Sequence, residues 1–290
     1  MPECGFRAGE VAVVGAPNTG KSTLINALLG QKLVIASPVP GTTRTVVRAV
    51  LTRPGTQAVL LDTPGFFLRP PGRIARQAND CTLDAISQAD AMLLLARGIR
   101  LQAHEEKLLA QAGGKPVILV LPKVDRLKNK RLLLPVMESA SSMGFSAIVP
   151  ISAQESIGLD GLAAEIRAIL PPSPPLFDED TLSDRSERFF AQEYIREALF
   201  SYLRDEIPHA VFVDIEEFSV LEDTADISAV IFVEKPSQRA IVLGEEGKLL
   251  HKAKKRARAS LADLLQKKVS LSLWIKVRKG LPEKMMGEWL

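Results

Sequence analysis

Eight residues near the start of the chain, Gly15-Ala16-Pro17-Asn18-Thr19-Gly20-Lys21-Ser22, fit the pattern G-x-x-x-x-G-K-[ST]. The flanks give the pattern its structural context. Glu10-Val11-Ala12-Val13-Val14 reads as a buried strand, and the run from Ser22 through Thr23 to Leu29 reads as a helix. A strand, a glycine loop and a helix in that order aim several backbone N–H groups and the positive helix end at one point, where a polyphosphate fits. Gly15 to Thr23 would then line the phosphates. Lys21 would reach the outer ones and Ser22 would hold Mg²⁺.

The rest of the chain bounds that reading. With 290 residues, 46% of them hydrophobic and 24% charged, the chain can bury one large core or two ordinary ones. No apolar run is long enough for a bilayer, and Met1 to Arg7 lacks the apolar centre of a signal peptide. Two cysteines, Cys4 and Cys81, make neither a disulfide framework nor a zinc spacing, so a reducing cytoplasm is expected. His104, His209 and His251 have no ligand spacing and read as surface or cap residues. Charge is uneven: between Lys248 and Lys279 eleven Lys or Arg stand against one acid, Asp263, while the remainder is net acidic. Such a local excess fits a nucleic-acid surface, and equally a solvated helix face.

Pro171-Pro172-Ser173-Pro174-Pro175 cannot be helix or central strand and reads as a stiff linker. The expected division is residues 1–170, a linker over 171–185, and residues 186–290. Before the linker, strands at 57–62, 90–96, 116–121 and 145–151 alternate with helices at about 78–88, 103–112, 130–142 and 158–170. That alternation predicts an α/β fold, a mostly parallel sheet with helices on both faces. After the linker the order becomes α-β-β-α-α-β: a helix over 186–206, strands over 211–220 and 226–233, a short helix over 237–243, a basic helix to about 266, and a strand over 269–277. Gly244-Glu245-Glu246-Gly247 joins the last two helices. A GxxG turn in that order, followed by Lys248, Lys252, Lys254, Lys255, Arg256 and Arg258, is the arrangement of an α+β KH module, which clamps a single-stranded RNA backbone.

Four further motifs lie at strand ends or in the loops between elements. Asp62-Thr63-Pro64-Gly65 supplies an acid for Mg²⁺ and, at Gly65, an N–H for a γ-phosphate. Gly41-Thr42-Thr43-Arg44 lies in a stretch rich in glycine and proline, and one of its threonines, with Thr43 preferred, can complete the Mg²⁺ shell when the γ-phosphate is present. Lys123-Val124-Asp125 brings a lysine stem to stack on a purine and an aspartate to accept from guanine N1–H and its 2-amino group. At Ser152-Ala153 a backbone N–H can meet guanine O6.

With these motifs in this order over essentially the whole chain, together with Ala257-Arg258 and Leu273-Trp274-Ile275-Lys276-Val277, the sequence resembles the Era family of bacterial GTPases. The resemblance implies a P-loop G domain followed by a type II KH domain, and a GTP-hydrolysing switch. It also implies a monomeric protein of the cytoplasm, peripherally associated with the inner membrane. Such a protein would bind 16S ribosomal RNA near its 3′ end and act in maturation of the 30S subunit. Phe66 follows Asp62-Thr63-Pro64-Gly65 where Ras-like proteins carry a water-orienting glutamine, so slow intrinsic hydrolysis is expected. Related GTPases with asparagine at the position of Asn18 use it to hold potassium, which makes K⁺ a candidate second cofactor; alternatively Asn18 braces the loop.

The sequence departs from the family pattern at three places. Pro122 replaces the asparagine that precedes Lys123 and offers neither a side-chain amide nor an N–H. Losing the asparagine's contact to guanine N7 costs roughly 1 kcal/mol, more if N7 is left buried and unpaired, so binding weaker by about tenfold is expected. Glu245-Glu246 places two carboxylates in the turn facing RNA, and Arg97 ends its strand where relatives carry an aspartate. Two alternatives follow. Pro122 motivates an RNA-binding assembly module with weak nucleotide binding and negligible hydrolysis. Glu245-Glu246 motivates a GTPase whose partner is protein or membrane.

Overall fold

The computed structural model describes residues 5–37, 39, 42–43, 45–98, 101–204 and 207–280, the His209 side chain excepted. Cys4, Gly41, Arg44 and residues 281–290 lie outside them. The chain divides into two compact units: Met1–Ala36 with Thr43–Asp184, and Ser37–Thr42 with Arg185–Leu290.

The first unit runs β1 (Arg7–Gly15), α1 (Lys21–Leu29), β2 (Val47–Arg53), β3 (Thr56–Asp62), α2 (Arg73–Gln88), β4 (Ala91–Leu95), α3 (Ala103–Ala110), β5 (Val117–Leu121), α4 (Leu134–Ser141), β6 (Ala147–Pro150) and α5 (Leu159–Ile169). Six strands form one sheet in the order β2-β3-β1-β4-β5-β6. All neighbours are parallel except β2 and β3. Strands β3, β4 and β5 are buried along their whole length, which is why they read as unbroken apolar runs. Parallel pairing brings the ends of β1, β3, β5 and β6 to one edge, where an open α/β sheet forms its binding crevice.

Strand β2 is absent from the sequence reading. It pairs antiparallel with β3 around Pro54-Gly55, and Gly55 takes a positive φ of 71°. That Pro-Gly dipeptide between two β-rich runs is the signal that marks the hairpin. Helix α2 also starts five residues earlier than expected, directly after Gly72.

The proline-rich segment after α5 belongs to the first unit through Asp184. The Ser173 N–H donates to Phe6 O (3.3 Å), and the Ala8 N–H to Pro171 O (3.3 Å). Buried Gln57 accepts from the N–H groups of Leu176 (2.7 Å) and Phe177 (2.8 Å). The Val50 N–H donates to Leu182 O (2.9 Å), and Arg48 pairs with Asp184 (3.2 Å). Since β2 is an edge strand, this segment satisfies a donor that the sheet leaves unpaired.

In the second unit α6 (Glu187–Phe200), β7 (Phe212–Val220), β8 (Thr224–Val233), α7 (Pro236–Leu243), α8 (Lys248–Leu265) and β9 (Lys268–Val277) follow in the expected order. The sheet is β7-β8-β9, antiparallel then parallel. Helix α8 buries Ala253, Ala257, Leu261 and Leu265, a stripe at four-residue spacing whose small alanines permit close helix packing. Thr42 also groups with this unit, and its carbonyl accepts from the buried Arg196 guanidinium (2.6 Å).

Candidate functional site

The loop after β1 closes on itself before α1 begins. Thr19 Oγ1 donates to Ala16 O (2.9 Å), and Gly20 caps the helix at φ 106°, a conformation glycine adopts without strain. Buried Lys21, the first residue of α1, donates through Nζ to Gly15 O (3.2 Å) and Ala16 O (3.1 Å). Burial lowers its pKa to about 8, against the opposing pull of Asp62. Ser22 and Thr23 complete the first turn of α1.

Oxygen donors from three segments converge beside it. Ser22 Oγ donates to Asp62 Oδ2 at 2.9 Å, and Thr43 Oγ1 stands 3.5 Å from the same oxygen. Asp62 ends β3 and is almost fully buried. Two hydroxyls and a carboxylate are hard donors, suited to Mg²⁺ rather than to a soft metal. Among the described residues no group of three or more His, Cys, Asp or Glu could hold a metal alone.

Gly65 packs directly on the phosphate loop. A Cβ there would come within 2.7 Å of Pro17 Cα and 2.8 Å of Pro17 N. The next residue, Phe66, is buried, and its N–H donates to Gly15 O (3.1 Å). His104, read from sequence as a surface or cap residue, is instead buried beneath it, with Nε2 2.5 Å from Phe66 O. The spacing of α3 puts His104 on the same inward face as Leu108, which was the available clue.

The base side of the crevice is more open. Lys123 takes a left-handed conformation (φ 61°), and its Nζ donates to Asn18 O at 2.7 Å. Lys123 thereby ties the turn after β5 to the loop after β1. Partial desolvation, with the neighbouring Arg126 charge, lowers the Lys123 pKa, and Asp125 opposes the shift. The Val124 N–H donates to Ile151 O (3.1 Å), joining the turn after β5 to the end of β6. Asp125 sits exposed in that turn. Buried Ser152 uses its N–H on Ile157 O (3.0 Å).

In the second unit Gly244 (φ 73°) and Gly247 (φ 74°) frame the turn between α7 and α8, and a Cβ on Gly244 would meet Leu249 Cβ at 2.6 Å. Glu246 is left-handed (φ 51°) and pairs with Lys248 (2.9 Å), so one of the two turn carboxylates already has a cation against it. Glu245, Lys252, Lys255, Arg256 and Arg258 are exposed.

Residues 10–123 match the family model described as 50S ribosome-binding GTPase, and residues 206–281 match the KH domain model. The chain is 39% identical to the GTPase Era of Nitrosomonas eutropha over 282 residues, 97% of this chain and 95% of that protein. It is 42% identical to the GTPase Era of Stenotrophomonas maltophilia strain R551-3 over 277 residues, 94% of this chain and 92% of the other. Its fold matches a crystal structure of Era in complex with MgGDPNP and nucleotides 1506–1542 of 16S ribosomal RNA, with a TM-score of 0.88 and 33% identity, covering 96% of this chain and 97% of that one. A second match, with a TM-score of 0.88 and 34% identity over 96% of this chain and 97% of that one, is a point variant of Aquifex aeolicus Era bound to GDP·AlF4⁻.

Proposed function

Because the chain belongs to the Era family of GTPases, we propose that it is a GTP-hydrolysing switch that binds the 3′ region of 16S ribosomal RNA and acts in assembly of the 30S subunit. The observation that carries the reading is the convergence of Ser22 and Thr43 on Asp62 beside Lys21. In the proposed roles Lys21 contacts the outer phosphates, while Ser22, Thr43 and Asp62 hold Mg²⁺. Bound there, the ion would neutralise charge on the phosphate oxygens. The Gly65 N–H faces the γ-phosphate, and Asp125 selects guanine. Phe66 is buried and has no polar side chain with which to orient water, which supports slow intrinsic hydrolysis. Asn18 is the proposed potassium ligand, and stimulation of turnover by K⁺ over Na⁺ is its test.

The RNA surface is assigned to Gly244, Glu245, Glu246, Gly247, Lys248, Lys252, Lys255 and Arg258. The resemblance further supports a cytoplasmic protein with peripheral contact to the inner membrane. Among the described residues no helix is long and apolar enough to cross a membrane.

Equilibrium binding of GTP, GDP, XTP and ATP with Mg²⁺ and K⁺ tests the site, alongside phosphate release over many turnovers. GTP and GDP should bind well ahead of ATP and XTP, and Lys21→Ala should lower hydrolysis by about a hundredfold or more. Normal hydrolysis by Lys21→Ala would sink the assignment. Turnover that stops near one equivalent would favour an RNA-binding module that merely holds nucleotide.

A further inference from the structure

The backbone from Pro64 to Phe67 is held by side chains that the nucleotide chemistry leaves unassigned. On α2, Thr82 Oγ1 donates to Pro64 O (3.1 Å), and the Asn79 amide both accepts from the Phe67 N–H (2.8 Å) and donates to Phe67 O (2.8 Å). Those two residues belong to the helix that the segment itself leads into, so segment and helix can shift together without breaking them. The bonds of Phe66 are different. Its N–H reaches Gly15 O in the phosphate loop, and its carbonyl meets His104 Nε2 on α3, a helix from a separate part of the chain. The same imidazole packs edge-on against the Phe66 ring, with centroids 5.5 Å apart and planes at 70°.

The chemistry of the contact fixes the state of the ring. A carbonyl only accepts, so Nε2 carries the hydrogen, and in the neutral tautomer Nδ1 is a bare acceptor. Nδ1 is buried, with no hydrogen-bond partner among the described residues. Protonating it would bury an unpaired N–H and a charge together. Burial is the largest influence on this ring and lowers its pKa. Arg97, Lys21 and Lys107 act in the same direction, while Glu105 opposes them. The ring is therefore a neutral donor near pH 7. Lys107 Nζ adds a further contact to Phe66, 5.5 Å from its ring centroid.

We propose that His104 is a positioning residue for hydrolysis: from α3 it pins Phe66, and thereby holds the adjacent Gly65 N–H where the outer phosphate must meet it. The inference rests on the GTPase reading above. It differs from a general packing role because the hydrogen bond acts on one backbone carbonyl next to the γ-phosphate donor. GDP, which has no γ-phosphate, should not sense it.

The test compares the full-length chain with His104→Leu, His104→Asn and His104→Gln. Steady-state GTP turnover and equilibrium GDP binding are measured for each. A Gln amide N–H reaches about where Nε2 stands; Asn is one bond short, and Leu has no donor. Leu and Asn should lower kcat by about tenfold, with KM and GDP affinity within about twofold, and Gln should restore most of the loss. Should Leu fail to fold, Asn against Gln gives the same contrast. Unchanged kcat in Asn and Leu overturns the proposal, as does a Gln variant no better than Asn. A fall in GDP affinity parallel to kcat does so too, because it marks a structural role. A wild-type chain with no multiple turnover overturns the GTPase reading itself, whereas normal wild-type turnover with unaffected variants overturns only the role of His104.

Discussion

The proposed phosphate site and the proposed RNA face would recognise chemically related groups by opposite means. At the first, Lys21, Asp62, Phe66 and His104 are buried, and Gly65 touches the backbone of Pro17. At the second, Lys252, Lys255 and Arg258 are exposed on one side of α8, whose other side buries only small and aliphatic residues. A buried site works by geometry, since few alternative positions exist and water is excluded. An exposed one works by summed charge, which each side chain supplies in part and salt screens. Substitutions should therefore act singly and severely in the first region, and additively and mildly in the second.

Gly65→Ala is the strongest way to break that contrast. The new Cβ would lie 2.7 Å from Pro17 Cα, against backbone rather than a yielding side-chain tip. Either the segment or the phosphate loop must shift. Overpacking of this kind costs about 1–3 kcal/mol, and it would displace the N–H to which the γ-phosphate contact is assigned in the proposed function. A fall in kcat of about a hundredfold is expected in phosphate-release assays, with a lower melting temperature. A variant with normal turnover would show that the phosphate loop yields, and that the first region is less rigid than its packing implies.

Pro122→Asn sharpens the comparison within the nucleotide site, because the base side is its exposed half. Lys123 already ties this motif to Asn18 O, so the asparagine would add only its contact to the base. GDP should bind about tenfold more tightly, the worth of one good hydrogen bond. Calorimetric titration of both proteins measures the difference. No gain would mean that the Lys123 tie already sets the motif and that N7 is satisfied by water.

The same division governs what could be read from the sequence. The phosphate loop, Asp62 and the strand alternation were legible because a strand–loop–helix unit and buried parallel strands impose their patterns on consecutive residues. The α-β-β-α-α-β order of the second unit was legible for the same reason. Strand β2 was missed although Val47, Ala49, Val50 and Leu51 are buried, because Arg48, Thr52 and Arg53 interrupt its apolar pattern, and Pro54-Gly55 was the remaining mark of its hairpin. His104 was missed because its partner, the Phe66 carbonyl, lies in another segment and has no side-chain signature. The attachment of the segment after α5 escaped notice too, since it depends on Gln57, a polar residue buried in a strand to bind passing backbone.

The mildest effects belong to α8. Lys252→Ala, Lys255→Ala and Arg258→Ala should each weaken RNA binding a few-fold and leave GTP turnover unchanged. Each should also flatten the dependence of log K on log salt by about 0.7, the contribution of one phosphate contact to a single strand. Binding of a single-stranded RNA from the 16S 3′ region, measured by fluorescence anisotropy between low and moderate salt, gives both quantities. The turn carboxylates bear on the same slope. Glu246 faces Lys248 at 2.9 Å, an exposed pair worth little to stability, but one that occupies a cation otherwise available to phosphate. Glu246→Gln should release Lys248 and steepen the slope by a similar amount. If the three alanine variants leave the slope unchanged, α8 does not touch phosphate, and the basic excess on that helix is a solvated face.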